Sequence, residues 1–107
     1  MLTSSGAGAQ QQRDTDSANF MLPHCKRFLV VEPGKATFTE GICAGSITSL
    51  SFVGEILSST RRFCFPQNVT NEQMVRVVVA YIEARPARMH EDFRALALEA
   101  MRAAWPC

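Results

Sequence analysis

The fold of this chain depends on the stretch 70–82, which reads TNEQMVRVVVAYI. Its first four residues form a capping box, in which the Thr70 side chain accepts a backbone N–H at the start of a helix. The apolar residues that follow recur at spacings that share one helical face. The valines at 77–79 would also suit a buried strand, and propensity alone does not reject that alternative. The capping box and the length of the pattern favour a helix.

Another helix is predicted at 89–104, where apolar residues recur every three or four positions. Glu91 and Asp92 fall in its predicted first turn, where negative charge is favourable at the positive end of the helix dipole. His90 stands beside them, so an acid–base cluster is the alternative interpretation. An exposed first turn accounts for the three residues more simply.

A second capping box, Thr37-Phe38-Thr39-Glu40, opens the next predicted helix toward the N-terminus. Glycines in a helix interior cost about 1 kcal/mol each relative to alanine. We therefore expect Gly41, Gly45 and Gly54 to mark the close approach of another helix backbone. Apolar and small residues follow the capping box in a stripe at helical spacing: Phe38, Ile42, Gly45, Ser49, Phe52, Val53 and Ile56.

The first helix is predicted within 17–31, where apolar residues again share one face. Pro23 removes one internal hydrogen bond, so the sequence predicts a kink or a late start there. The chain is therefore predicted to be all-α, a small bundle of about four helices. Its predicted core consists of Phe28, Phe38, Ile42, Phe52, Val75, Val78, Val79, Ile82, Phe93, Leu96, Ala100 and Met101.

The composition is that of one globular domain, with 107 residues of which 47% are hydrophobic and 20% charged. Eleven basic and ten acidic side chains give a net charge of +1, which offers no electrostatic basis for binding nucleic acid or a membrane surface. No apolar run approaches the roughly 20 residues of a transmembrane helix. A domain of this size has a marginal core, so covalent fastening would help.

The four cysteines are Cys25, Cys43, Cys64 and Cys107. No two of them form a C-x-x-C pair, so the local geometry of a zinc ribbon or a thioredoxin-like redox site is missing. An even count at wide spacing in a small domain indicates two disulfides formed in an oxidising compartment. The alternative is a set of reduced, buried cysteines in a cytosolic protein. Four cysteines allow three pairings, and their spacing does not choose among them.

Residues 1–15 are predicted to be a disordered leader, ahead of a domain at 16–107. Ala7-Gly8-Ala9 has the small-residue pattern after which a signal peptidase cuts, although the charged and apolar parts of a signal peptide are lacking. The leader is therefore either a signal-peptide remnant or a flexible segment unrelated to export. Together with the cysteines, it favours export.

Catalytic motifs are missing from the sequence, which contains no G-x-S-x-G, no phosphate-binding glycine loop and no H-E-x-x-H. His24 beside Cys25 is the only adjacent pair suited to an activated thiol, and a disulfide role for Cys25 is simpler. We predict no enzymatic activity, metal or cofactor. Arg61 and Arg62 form a short basic patch in a loop that can bind carboxylates of a partner protein; the alternative is a solvated loop end.

Four landmarks recur in order near the C-terminus: Phe63-Cys64-x-Pro66, the segment from the valine-rich helix to Arg85-Pro86, His90, and a final Trp105-Pro106-Cys107. Over 17–107 the chain resembles the Rap/Tai immunity proteins of type VI secretion. The N-terminal half agrees more loosely, through Ser17-Ala18-Asn19 and Gly41-Ile42-Cys43-x-Gly45. Arg85 stands where a histidine is common in that family, and Ser46 replaces its usual aromatic residue.

The resemblance implies a small periplasmic, all-helical protein without enzymatic activity, often a homodimer. It implies disulfides between the first and second and between the third and fourth cysteine. Typical members block the active site of a peptidoglycan amidase effector injected by sibling cells. A periplasmic helical chaperone or structural module is the competing interpretation. An acid-stress chaperone should be rich in titratable groups, so the small number of carboxylates, ten, weighs mildly against it.

Overall fold

The computed structural model describes residues 14–57 and 62–107, so the predicted leader lies outside it except for its last two residues. In this part of the chain the fold is all-α, as predicted, and contains no strand. Two short 3₁₀ turns, Asp14–Asp16 and Pro86–Arg88, accompany the helices. The four helices are α1 (Ala18–Val30), α2 (Phe38–Ile56), α3 (Asn71–Glu83) and α4 (Phe93–Ala104).

Helix α1 begins at Ala18 and continues through Pro23, so of the two alternatives predicted there, a kink or a late start, the late start is excluded. Three hydrogen bonds explain the early start. The Ser17 hydroxyl accepts the Phe20 N–H at 3.2 Å. The first helical N–H groups, which have no partner within a helix, donate to the segment before α4: Ala18 to the Glu91 carbonyl at 2.9 Å and Asn19 to the Met89 carbonyl at 2.7 Å.

Helix α2 starts with the predicted capping box, in which the Thr37 N–H donates to Glu40 Oε1 at 2.9 Å. Glu40 is 2% exposed, and the second oxygen of its side chain accepts the Arg27 Nε–H at 2.9 Å. The hydrogen bond from the Thr37 backbone, and then the nearby Arg27 charge, lower the pKa of Glu40 despite its burial. One carboxylate therefore caps α2 and holds it to α1.

The face of α2 that enters the core differs from the prediction. Phe38, Ile42 and Phe52 were expected in the core and are 83%, 39% and 65% exposed. Cys43 and Ile47, on the opposite side of the helix, are fully buried. Apolar residues occur on both sides of α2, so periodicity alone did not identify the inner one. The disulfide from Cys43 to α1 fixes the rotation of the helix and turns the predicted face outward.

The glycines of α2 also differ from the prediction. A Cβ added at Gly41 or Gly45 would meet no atom within 4 Å, so no helix backbone approaches them here. Gly54 does mark a close approach, but of a side chain: an added Cβ would lie 1.7 Å from Cζ of the Phe63 ring. Phe63 itself is 1% exposed. Gly54 thus provides the space in which this ring is buried.

Helix α3 confirms the helical interpretation of the valine run. The Thr70 side chain accepts the Gln73 N–H at 3.1 Å, and Glu72 forms an ion pair with Arg76 at 2.8 Å one helical turn away. The buried face of the helix consists of Met74, Val75, Val78, Val79 and Ile82. The first valine of the run, Val77, is half-buried.

Helix α4 begins at Phe93, four residues later than predicted. Asp92 is its N-cap and accepts the backbone N–H groups of Arg94 at 2.8 Å and Ala95 at 3.4 Å. Glu91 and Asp92 therefore precede the first turn and do not belong to it. The segment before Asp92 is a turn. Its Met89 and Glu91 carbonyls accept the first N–H groups of α1 and are therefore not used within a helix.

The remaining predicted core residues line a bundle in which α2 and α3 each contact both α1 and α4. Phe28 only borders this core, half-buried. Core residues that the prediction missed include Met21, Leu22, Ile47 and Phe63. Those predicted and found buried are Val75, Val78, Val79, Ile82, Phe93, Leu96, Ala100 and Met101.

Two disulfides join the cysteines of the described residues, Cys25 to Cys43 and Cys64 to Cys107. These are the two pairs that the resemblance implies. The first bond is fully buried between α1 and α2, whereas the cysteines of the second are exposed. Each bond closes a loop within its own half of the chain.

Candidate partner-binding surface

The predicted partner-binding pair is described only in part, because Arg61 lies outside the described residues. Arg62 is exposed and directly precedes the buried Phe63. A cationic side chain is thus presented to solvent next to a side chain that is fixed in the core. The role of Arg62 in partner binding stays a prediction.

The segment after Arg62 is fastened by the backbone as well as by a disulfide. The Phe63 N–H donates to the Gly54 carbonyl at 3.3 Å, and the Cys64 N–H donates to the Trp105 carbonyl at 2.9 Å. Cys64 is covalently bound to Cys107. These contacts hold the segment against both α2 and the residues that follow α4, so Arg62 projects from a rigid base.

Aromatic packing covers the outer side of the same segment. The Phe65 ring lies edge-on to the Phe63 ring at a centroid distance of 5.3 Å. It also contacts the Trp105 ring at 5.0 Å. Such pairs add about 0.5–1.5 kcal/mol beyond the area that they bury. The aromatic residues that are near Cys64 and Cys107 in the sequence therefore form one cluster beside the exposed disulfide.

A groove of about 460 Å³ lies beside this segment. Phe63 forms part of its floor, and α2 and α4 form its two sides. Its walls are mostly apolar, with one carboxylate and one guanidinium at the edge: Val53, Leu57, Phe63, Leu98, Glu99 and Arg102.

A second cluster of charges fixes the connection between α3 and α4, and the sequence analysis missed it. The Arg88 guanidinium binds both oxygens of Glu91 at 2.8 and 2.9 Å and both oxygens of Glu99 at 2.8 and 2.9 Å. The Tyr81 hydroxyl adds a 3.1 Å hydrogen bond to Glu99. The one signal in the sequence was Arg88 three residues before Glu91; Glu99 joins them only through the fold.

These contacts shift the pKa values of the cluster in the directions expected of ion pairs. Hydrogen bonds from Arg88 lower the pKa of Glu91 and of Glu99. The same bonds raise the pKa of Arg88. All three groups are therefore charged at neutral pH, and each carboxylate oxygen has a donor. The arrangement stabilises a turn and leaves no acid or base poised for proton transfer.

Arg85, the departure from the family pattern, has a structural role. Its guanidinium carbon lies 3.6 Å from the centroid of the Tyr81 ring. Its Nη1 donates to the Tyr81 carbonyl at 3.0 Å. A cation above an aromatic ring contributes about 0.5–1 kcal/mol at an exposed site. Arg85 thus ends α3 by capping a carbonyl of its last turn.

The remaining residues considered for chemistry are His24, Cys25 and His90. His24 contacts the Phe20 ring at a centroid distance of 5.0 Å, and its neighbour Cys25 is in a disulfide, so that pair offers no free thiol. His90 is exposed in the turn before α4. Within 14–57 and 62–107, no three His, Cys, Asp or Glu side chains are grouped as metal ligands. None of the helices described is long and apolar enough to span a membrane.

Comparison with known proteins assigns the chain to a family. A search of curated proteins and a search of solved structures each find no match. The family model of the Rap1a immunity proteins, in contrast, matches residues 17–107. The match spans all four helices and both disulfides, and it points to an immunity protein against a secreted effector. The chain therefore belongs to the Rap1a immunity protein family.

Proposed function

We propose that this protein is a non-enzymatic, periplasmic immunity protein that binds and inhibits a peptidoglycan amidase effector of type VI secretion. The observation that carries the proposal is the family match over 17–107. The two disulfides support export, because such bonds persist in oxidising compartments. A protein of this kind acts by occupying the effector's cleft.

Occlusion requires a rigid surface, since a flexible one would lose conformational entropy on binding. The segment after Arg62 meets this requirement through the Cys64–Cys107 disulfide and its backbone bonds to α2 and to Trp105. We propose that Arg61 and Arg62 contact the effector from this base. Arginine can donate two parallel hydrogen bonds to a carboxylate and is enriched at interface hot spots.

The groove beside Phe63 supports the same location. Hot spots form where a side chain of one protein fills an apolar pocket of the other, with charged groups at the rim. Here the apolar floor of the groove and the exposed Arg62 are adjacent along the chain. A loop of the effector that fills the groove would bring its acidic or carbonyl groups within reach of the arginines.

The experiment is a binding and inhibition assay with the amidase encoded by the neighbouring gene. We expect the wild-type protein to co-purify with the amidase and to stop its cleavage of peptidoglycan. Arg61→Ala/Arg62→Ala should weaken binding by at least about tenfold, which corresponds to 1.4 kcal/mol. The control is Arg76→Ala, which removes an exposed arginine from α3.

The outcomes separate the function from the site. No binding or inhibition by the wild-type protein would contradict the proposed function for that effector. Inhibition by the wild type and by the double variant alike would retain the function and exclude Arg61 and Arg62 as its site. Equal weakening by Arg76→Ala would show that net charge, and not this location, determines affinity.

A further inference from the structure

The two disulfides differ in what a reductant can reach. Cys25 and Cys43 are both 0% exposed, between α1 and α2. Cys64 and Cys107 are both exposed. Reduction of a disulfide begins when a thiolate attacks one of its sulfurs, so its rate depends on access to that sulfur, and exposed disulfides are the labile ones. A thiolate in solution can therefore reach the second bond, whereas the first is covered by two packed helices.

The exposed bond fastens the candidate binding segment, residues 62–66, which begins with the exposed Arg62. It joins this segment to the residues that follow α4. Two weaker contacts act in parallel with it: the Cys64 N–H donates to the Trp105 carbonyl at 2.9 Å, and the Phe65 ring lies 5.0 Å from the Trp105 ring. Segments held by so few contacts open locally at a small cost in free energy. The disulfide is thus what keeps the two sides together.

The helical core does not depend on this bond. Cys25 and Cys43 belong to the buried core, whereas Cys64 and Cys107 lie outside it. The covalent loops of the two disulfides do not overlap, so opening the second leaves α1 and α2 joined. Helix α3 still contacts the other three helices. Reduction at the exposed site therefore loosens one edge of a bundle that stays folded.

We propose that the Cys64–Cys107 disulfide is a redox modification site, at which a dithiol reductant releases the candidate binding segment and weakens its contact with the effector. One thiolate of the reductant attacks one sulfur, the S–S bond breaks, and the other cysteine leaves as a thiolate that takes up a proton. The second thiol of the reductant then forms a disulfide with the first and releases the remaining cysteine as a thiol. Two electrons and two protons pass to the protein, and a thiol oxidant reverses the reaction.

The loss of affinity follows from the order that the bond imposes on the segment. A fastened segment meets its partner in the conformation that it already has, whereas a loosened one loses conformational entropy on binding. Phe63 forms part of the floor of the groove, and Arg62 directly precedes it. Loosening therefore affects both the groove and the guanidinium. This part of the inference rests on the proposed function; the selective reduction does not.

The first test uses the protein alone, with dithiothreitol as the reductant. Freed thiols are trapped at intervals with iodoacetamide under native conditions and located by peptide mass mapping. We expect Cys64 and Cys107 to be trapped at least about tenfold faster than Cys25 and Cys43, because the buried bond is reached only when the α1–α2 contact opens. The control is the same reaction in denaturing urea, where both bonds are exposed and the difference should disappear.

Two results of this test would overturn the proposal. One is that both bonds of the native protein open at the same rate, or that the buried bond opens first. The other is a difference in rate that persists in urea, since local sequence and not burial would then determine which bond is reduced.

The second test uses Trp105, the single tryptophan of the sequence, to detect release of the segment. In the protein reduced and alkylated at Cys64 and Cys107, the near-UV circular dichroism should decrease as this ring loses its contact with Phe65, while the far-UV signal of the helices is retained. Cys64→Ser/Cys107→Ser, which needs no alkylation, should give the same spectra. An unchanged near-UV signal, or loss of the far-UV signal, would overturn the proposal.

The third test compares inhibition of the amidase by the oxidised wild-type protein and by Cys64→Ser/Cys107→Ser, with no reductant present. We expect the variant to inhibit at least about tenfold more weakly, which corresponds to 1.4 kcal/mol. Wild-type protein that has been reduced and then reoxidised is the control and should inhibit fully. Equal inhibition by the oxidised protein and the variant would overturn the loss of affinity. If the oxidised wild-type protein does not inhibit, the proposed function is contradicted for that effector, and the first two tests decide the redox site.

Discussion

Gly54→Ala tests the packing of the Phe63 ring against α2. This contact holds the candidate binding segment in place. The added Cβ would lie 1.7 Å from Cζ and 2.2 Å from both Cε atoms of the Phe63 ring, far inside contact distance. The backbone of Phe63 is held close to α2, because its N–H donates to the Gly54 carbonyl and its neighbour Cys64 is in a disulfide. Either the ring leaves the core or α2 moves.

The magnitude follows from two opposing effects. Alanine improves helix propensity by about 1 kcal/mol over glycine. Displacing a buried phenylalanine costs much more, since removal of such a side chain costs about 3–5 kcal/mol. We expect a net loss of about 2–4 kcal/mol in the free energy of unfolding. At about 4–8 °C per kcal/mol for a domain of this size, the melting temperature should fall by roughly 10–30 °C.

The assay is thermal and urea unfolding, followed by circular dichroism under oxidising conditions. Gly41→Ala is the matched control: it makes the same chemical change in the same helix where no atom lies within 4 Å. It should stabilise the protein by about 0.5–1 kcal/mol. In a Phe63→Ala background the penalty of Gly54→Ala should disappear. Gly54→Ala as stable as Gly41→Ala, or a full penalty without the ring, would refute the reasoning.

Three further predictions concern the core, the disulfides and acid. Val78→Asp should abolish cooperative unfolding, because an unpaired carboxylate replaces a fully buried side chain at a cost of several kcal/mol. The control, Ala80→Asp on the exposed side of α3, should fold, and a folded Val78→Asp would contradict the core assignment. Peptide mapping under non-reducing conditions should find the two disulfides described, and free thiols or a different pairing would refute this. In Cys64→Ser/Cys107→Ser the free energy of unfolding should fall by about 4 kcal/mol, because the unfolded chain gains the entropy of the opened loop. The pKa of Glu99 is lowered on folding, so the stability that its ion pair contributes is present above the unfolded value of 4.5 and is lost as the pH falls through the lower folded value. The urea midpoint should therefore drop between about pH 5 and pH 2. A urea midpoint that does not change over this range would contradict the ion pairing.

The sequence predicted those features that local chemistry determines. The capping residues Thr37 and Thr70 identified where two helices begin, and the buried face of α3 followed from its period. The start of α4 was wrong because Asp92 acts as a cap, a role that depends on how the preceding turn binds the start of α1. Such a contact between distant segments leaves no periodic signal.

The candidate site could be predicted less completely. Arg62 is exposed as a loop arginine should be, but the burial of the adjacent Phe63 against Gly54 is a contact between residues that no pattern connects. The pairing of Arg88 with Glu99 likewise joins residues eleven positions apart across a turn. The outward face of α2 was missed since two apolar stripes compete on one helix, and only the disulfide at Cys43 decides between them.

The order of the disulfides along the chain has a consequence for how the protein matures. Cys25 pairs with the next cysteine, Cys43, and Cys64 with the next, Cys107, so the two covalent loops follow one another without overlap. If a thiol oxidant joins the cysteines in their order along the sequence, it produces this pairing directly. It is one of the three pairings that four cysteines allow. No wrong bond has to be broken by thiol–disulfide exchange, a step of minutes to hours when uncatalysed. For a chain oxidised in this order, an electron acceptor is sufficient and no isomerase is needed.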